Sequence, residues 1–222
     1  FEQMFGVLRA MGFPWEAQCE HLSTGLYRFK DAKMSTRKGN FITLEEVNDL
    51  CIEKTLKLMR ERAEATADGD RKLSESEIKK IADQVAVGAI VFADLSTDPT
   101  RDMDFDVDRV ISFEGETGPY LQYAHTRCLS ILKKSEKDAA AINQLDPEKI
   151  AQLCTKNEEV FLMKTLGRLP STLERTLEQR KPSQLVIYLI DLTKDFSAFY
   201  RECKVSNPDQ PELSAARLAL VS

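Results

Sequence analysis

The 222 residues are 42% hydrophobic and 30% charged, the composition of a soluble globular chain with a real core, long enough for one large domain or two small ones. A net charge of −5 argues against indiscriminate nucleic-acid binding but leaves room for a local basic surface. Five scattered cysteines without a C-x-x-C pair and only two histidines, His21 and His125, signal neither a disulfide framework nor a zinc cluster, and no apolar run is long enough to cross a bilayer.

The chain opens on Phe1 with no charged leader, so a cytoplasmic location is expected. A start without methionine and an end at "ARLALVS", inside a helical pattern, give the expectation of a piece of a longer protein. "FEQMFGVLRAMGF" sets Phe5 and Leu8, with Met4 and Met11, at helical spacing, and Gly12 and Pro14 end that helix. Residues 20–30, "EHLSTGLYRFK", fit one or two short strands that feed a basic segment. That segment, "FKDAKMSTRKGNFITLEE" over 29–46, gathers Lys30, Lys33, Arg37 and Lys38 around the hydroxyls of Ser35 and Thr36 and closes on Gly39 and Asn40. Ammonium, guanidinium, hydroxyl and backbone N–H donors of this kind can converge on a polyphosphate, although the spacing is not that of a G-x-x-x-x-G-K-[ST] loop. A solvated basic loop is the alternative reading of the same residues.

Thr43 and Glu46 have the spacing of a capping box and predict a long helix whose apolar face is Val47, Leu50, Cys51, Leu58 and Met59, ended by "TADGDRK" around Gly69. Ser74 and Glu77 repeat that spacing ahead of Ile78, Ile81, Val85, Ala89 and Phe92, which predicts a second, antiparallel helix. "DMDFDVDRVISF" then alternates Met103, Phe105 and Val107 with Asp102, Asp104, Asp106 and Asp108. Counted as a calcium loop from Asp102, the positions that require glycine and glutamate hold Val107 and Phe113, so the stretch reads as a half-exposed strand with one acidic face. From Pro119 onward the pattern is helical, over roughly 119–134, 147–180 with a break near Pro170, 182–203, and from Pro211. Pro119, Pro147, Pro182 and Pro211 suit first helical positions, and the expected bundle has apolar faces that include Phe161, Leu162, Leu166, Leu169, Ile190, Phe196 and Phe199.

Two stretches carry a family resemblance. "KMSTRKGN" at 33–40 resembles the KMSKS signature shared by many class I aminoacyl-tRNA synthetases, and "SFEGETGPYLQYAHTR" at 112–127 resembles the arginyl-tRNA synthetases in particular. "DFSAFYRECKV" at 195–205 and "ELSAARLALV" at 212–221 are similar to the last helices of that family's anticodon-binding domain, so the resemblance covers nearly the whole chain. It implies a mainly α fold: residues 1–42 as the end of a Rossmann-type catalytic domain with a few short strands, 43–115 as a connecting region against the inner tRNA stem, and 116–222 as a helical-bundle anticodon-binding domain cut at its C-terminus.

The resemblance also implies the activity of an arginine–tRNA ligase, which joins arginine to the α-phosphate of ATP and passes it to the terminal adenosine of arginine tRNA. Lys33, Met34, Ser35, Thr36 and Arg37 would form the ATP-side loop, with Lys33, Ser35 and Arg37 meeting the charge that grows on the leaving pyrophosphate. Thr36 stands where the family usually has its second lysine, and Arg37, Lys38 or a residue upstream could supply the missing charge. ATP as substrate, with magnesium, arginine and arginine tRNA are the implied ligands; no metal site is visible in the chain, no membrane is involved, and a monomer is expected. The adenine signature and the arginine pocket of the family would lie before Phe1. Tyr120, Tyr123 and Arg127 fall on one helical face as the implied tRNA contacts, since rings and guanidinium planes stack on unpaired bases. Packing within the bundle is the alternative for the same tyrosines. Glu114 and Glu116 are expected to orient the junction before the helix, and His125 is left without a role. The rival readings are a fragment that binds tRNA without catalysis and a different class I synthetase.

Overall fold

The computed structural model describes residues 1–29, 42–65, 74–135 and 146–222. Lys33, Met34, Ser35, Thr36 and Arg37, and the "TADGDRK" boundary, lie outside them. The N-terminal part begins with α1 (Glu2–Ala10), which stops at Gly12 in a left-handed turn, and a 3₁₀ turn over Pro14–Gln18. Arg9 grips Glu16 through two hydrogen bonds of 3.0 and 2.8 Å and ties the turn back to the helix.

Both predicted capping boxes form. The Thr43 N–H donates to Glu46 Oε2 at 2.7 Å and the Glu46 N–H donates to Thr43 Oγ1 at 3.2 Å, opening α2 (Leu44–Ala65). Ser74 and Glu77 do the same at 2.9 and 3.3 Å, opening α3 (Glu75–Ser96). Arg60 of α2 pairs with Glu75 of α3 at 2.9 Å, while Val47 and Cys51 near the start of α2 pack with Ala86 and Ala89 near the end of α3. The two helices therefore form the antiparallel hairpin that the sequence predicts. Ala82, Ala86 and Ala89 are fully buried, and such small side chains allow a close approach. Leu50, expected on the apolar face, is exposed, and Thr55 is buried instead. The helical repeat puts Val47, Cys51 and Thr55 in one row and turns Leu50 to its side.

The expected acidic strand is shorter than its alternation suggests. β2 covers only Met103–Phe105 and pairs in parallel with β1 (Tyr27–Phe29), in the register Tyr27↔Met103, Arg28↔Asp104 and Phe29↔Phe105. Asp106 then accepts from the N–H groups of Asp108 and Arg109 at 3.1 and 3.4 Å and starts the helical turn α4 (Val107–Val110). The alternation is overridden because a carboxylate in that position caps a helix.

The second half is a bundle of α5 (Gly118–Lys134), α6 (Pro147–Leu153), α7 (Asn157–Gly167), α8 (Leu169–Gln179), α9 (Ser183–Glu202) and α10 (Pro211–Ala219). The predicted segment 147–180 is in three pieces, with a further break at Cys154–Lys156, where Glu159 accepts from the Lys156 N–H at 2.8 Å and caps its own helix. Pro147 and Pro211 hold first helical positions, whereas Pro119 sits second behind Gly118 and Pro182 precedes α9. Leu162, Phe196, Phe199, Cys203 and Leu218 form the bundle core. Phe161 and Leu166 are exposed because α7 turns Glu159, Leu162 and Thr165 inward instead, and Leu169 is exposed at the start of α8, which buries Thr172.

Glu159 is buried for a reason. Arg217 Nε on α10 donates to its Oε1 at 2.6 Å, with side-chain exposures of 7% and 1%, and Arg217 Nη1 donates to the Lys204 carbonyl at 2.8 Å. A buried pair satisfied in this way fixes how α7, α10 and the end of α9 meet, since loss of one partner would strand a charge in the core. Burial, helped by the Glu159 charge, pushes the neighbouring Cys154 thiol up to about 11.

The halves meet where α5 crosses α3. A Cβ on Gly118 would lie 2.9 Å from Ala89 Cα and from the Gly88 carbonyl oxygen, and 3.0 Å from Phe92 Cβ. Phe92 continues the contact into Val186 and Ile190 of α9. Gly118→Ala is expected to wedge the two backbones apart and destabilise the protein by about 1–3 kcal/mol. Urea denaturation checks this: the midpoint falls while the slope stays as in the wild type.

Candidate nucleic-acid interface

α5 leaves the crossing with Thr117 as its cap, whose Oγ1 accepts from the Tyr120 N–H at 3.3 Å and donates to the Ser112 carbonyl at 2.6 Å. Lys194 of α9 meets Glu116 at 2.6 Å, and that contact raises the lysine's pKa. Ser112 Oγ bridges the N–H and the carbonyl of Glu114 at 3.1 Å each. Both glutamates therefore hold the junction ahead of the helix, as the sequence suggests, one through its side chain and the other through its backbone.

Along α5 the three candidate residues separate into two roles. Tyr120 is half-buried and its hydroxyl lies 3.2 Å from Ser197 Oγ on α9, a contact that docks the two helices. Tyr123 is 52% exposed, and its hydroxyl accepts a hydrogen bond from Arg127 Nη2. The Arg127 guanidinium carbon sits 4.8 Å from the Tyr123 ring centre and 4.5 Å from that of Tyr200, which is itself 39% exposed. Tyr200 was not legible as a site residue: its neighbours Phe196 and Phe199 are core, and only the fold brings it to α5.

Tyr123, Arg127 and Tyr200 make a cation–π cluster at the surface of rigid helices. Each cation–π contact of this partly exposed kind is worth about 0.5–1 kcal/mol. Two half-exposed rings and a guanidinium with donors left over can stack on flat unpaired bases and reach a phosphate at the same time. His125 is exposed, at the rim of an apolar hollow whose lining includes Ala124, Cys128, Leu162, Phe196 and Leu220.

Three of the aspartates of 102–108 have partners, with Asp106 capping α4. Asp102 accepts from the Leu26 N–H at 2.9 Å and pairs with Arg28, and Asp108 pairs with Lys54 at 2.5 Å. Among the described residues no group of His, Cys, Asp and Glu is placed to hold a metal ion, and no helix is long and apolar enough to cross a membrane.

Residues 1–107 match the family described as "tRNA synthetases class I (R), catalytic domain", and residues 121–222 match the "DALR anticodon binding domain". The chain is 36% identical to the arginine–tRNA ligase of Clostridium kluyveri over 221 residues, which is 100% of this chain and 37% of that protein. It is 36% identical to the arginine–tRNA ligase of Limosilactobacillus fermentum, again over 100% of this chain and 36% of the relative. The solved Thermus thermophilus arginyl-tRNA synthetase superposes with a TM-score of 0.72 at 28% identity, over 98% of this chain and 34% of that one. The chain belongs to the arginyl-tRNA synthetase family.

It spans just over a third of the length of the curated relatives it matches. The two family matches leave residues 108–120 between them, an interval that runs from α4 to the start of α5, at the tight crossing on α3. The cation–π cluster falls wholly within the part that matches the anticodon-binding domain. Since the cluster is half-exposed, Tyr123→Ala should change the stability of the fold by no more than about 1 kcal/mol, whereas truncating the fully buried Phe199 to alanine should cost about 3–5 kcal/mol. Paired urea denaturation curves of the two variants give the comparison.

Proposed function

We propose that the chain is part of an arginine–tRNA ligase, in which residues 1–42 end the catalytic domain, 43–115 face the inner tRNA stem and 116–222 bind the anticodon loop. The carrying observation is a guanidinium set between two half-exposed tyrosine rings, on the bundle of a chain that belongs to the arginyl-tRNA synthetase family. Arginine, ATP and arginine tRNA are the substrates of this proposal, and the protein works as a cytoplasmic monomer. Magnesium would arrive with the nucleotide. Among the described residues no cluster of His, Cys, Asp and Glu side chains is grouped to hold a resident metal, and no step is assigned to one.

In the first half-reaction the arginine carboxylate attacks the α-phosphate of ATP, and pyrophosphate leaves. Lys33, Ser35 and Arg37 are assigned to the charge that develops on that leaving group, with Met34 and Thr36 completing the loop that lies against ATP. Donors that meet the charge only in the transition state raise kcat rather than tighten ground-state binding. In the second half-reaction the 2′-hydroxyl of the terminal adenosine attacks the carbonyl of the adenylate, forming the ester while the bond to phosphate breaks and AMP leaves. The bundle contributes by holding the far end of the tRNA: Tyr123 and Tyr200 offer stacking faces, Arg127 supplies the charge, and Tyr120 sets the angle between α5 and α9.

In the complete protein, Lys33→Ala is expected to slow arginine-dependent pyrophosphate exchange about ten- to a thousand-fold, since a lost transition-state ion contact is worth a few kcal/mol. Unchanged turnover with a raised KM for ATP would assign the loop to binding alone. Tyr123→Ala should weaken arginine tRNA by about 1–3 kcal/mol, and Arg127→Gln should lower the salt slope of binding by about one. Titrations at several salt concentrations measure both effects. A folded Tyr123→Ala protein with wild-type affinity would remove the cluster from the tRNA site. The 222 residues alone should bind arginine tRNA without catalysing exchange.

A further inference from the structure

The turn between α8 and α9 reaches back to the N-terminal part of the chain. Arg180 ends α8 in the left-handed conformation (φ 51°, ψ 39°), the only positive φ outside glycine among the described residues. Glycine is the usual residue at such a helix end, and an arginine there stores backbone strain. Its side chain is engaged: Nε pairs with Glu20. The next residue diverges to a second anchor, with Lys181 Nζ 2.7 Å from Asp98 Oδ2 in the loop between α3 and β2. Asp98 is fixed in turn by the N–H and hydroxyl of Thr100, which donate to Oδ1 at 3.0 and 2.7 Å. Lys181 first, then Thr100, hold this carboxyl well below the usual carboxylate range.

The loop that Lys181 grips is the bed on which residues 25–27 lie. The Gly25 N–H donates to the Pro99 carbonyl at 2.7 Å, the Leu26 N–H to Asp102 Oδ1 at 2.9 Å, and the Met103 N–H to the Leu26 carbonyl at 2.9 Å. Contact is so close that a Cβ on Gly25 would lie 2.0 Å from the Arg101 carbonyl oxygen. The Tyr27 hydroxyl adds a hydrogen bond to Asp94 on α3. Pro182, the residue after Lys181, closes a cleft of ≈190 Å³ whose other walls include Thr24, Gly25, Tyr27 and Asp98. β1 then runs on in sequence to Lys33.

We infer that Arg180 and Lys181 form a two-point latch through which the anticodon-side bundle sets the position of β1, which makes them positioning residues for the adenylation step. Ion pairs as exposed as these add little stability, so their arrangement is better suited to fixing an orientation than to holding the fold. Two anchors that diverge from adjacent residues restrain rotation as well as separation, which a single pair does not. A shift of the bundle on binding tRNA would reach residues 25–29 through this turn. The catalytic half of the inference rests on the ligase function proposed above; the docking half does not.

The test uses the complete protein carrying Arg180→Gly and Lys181→Ala together. Arg180→Gly relieves the strained backbone, so the melting temperature is expected to hold. Two changes are expected together, amide exchange at Gly25, Leu26 and Met103 about tenfold faster and kcat for pyrophosphate exchange about tenfold lower, while KM for ATP and Kd for arginine tRNA stay within about twofold. Lys181→Arg, which keeps the positive charge toward Asp98, should retain both kcat and protection where Lys181→Ala loses them. Unchanged protection of the three amides overturns the latch, as does a fall in kcat that tracks the melting temperature or the tRNA Kd. Wild-type protein without arginine-dependent exchange overturns the ligase function and the catalytic half, while amide protection still decides the docking half.

Discussion

Everything in this molecule is referred to the crossing of α3 and α5, where backbone meets backbone. Gly118 lies against Gly88, Ala89 and Phe92 with no room for a single added carbon. On one side of α3, Ala86 and Ala89 complete the core shared with Val47, Cys51, Phe105 and Ile111; at its end Phe92 enters the core shared with Val186 and Ile190. One helix thus belongs to both halves. Interiors at native packing density transmit displacement rather than absorb it, so the pose of the bundle and the pose of the N-terminal elements are set together.

The cation–π cluster inherits its rigidity from that arrangement. Tyr123 and Arg127 stand on α5 just beyond the crossing, and Tyr200 stands on α9, which packs against both α3 and α5. The buried Glu159–Arg217 pair and its hydrogen bond to the Lys204 carbonyl lock the far end of the bundle. Elements fixed at both ends keep the two rings and the guanidinium in place before any ligand arrives, so less side-chain entropy is lost on binding.

Local chemistry was readable in the sequence and tertiary chemistry was not. The capping boxes at Thr43–Glu46 and Ser74–Glu77 need only residues three apart, and both appear as expected. The antiparallel hairpin and the helical second half follow from periodicity over long windows, where the signal is strong. Alternation from Met103 to Val107 misled, because Asp106 serves as a helix cap and a polar/apolar pattern does not reveal that use. Helical periodicity points Leu50, Phe161, Leu166 and Leu169 inward, yet all four are exposed, since which stripe of a helix is buried depends on its neighbours. Tyr200 and the Glu159–Arg217 pair have partners 73 and 58 residues away respectively, beyond the reach of any local pattern (200 less 127 and 217 less 159).

We propose that the Tyr123–Arg127–Tyr200 face takes the anticodon loop of an arginine tRNA, and a chemical footprint of that tRNA bound to the protein tests this most directly. Bases of the anticodon loop should become protected on binding, together with the inner stem, and a folded variant without the rings should keep the stem protection while leaving the loop bases reactive. An anticodon loop as reactive in the wild-type complex as in free tRNA would contradict it.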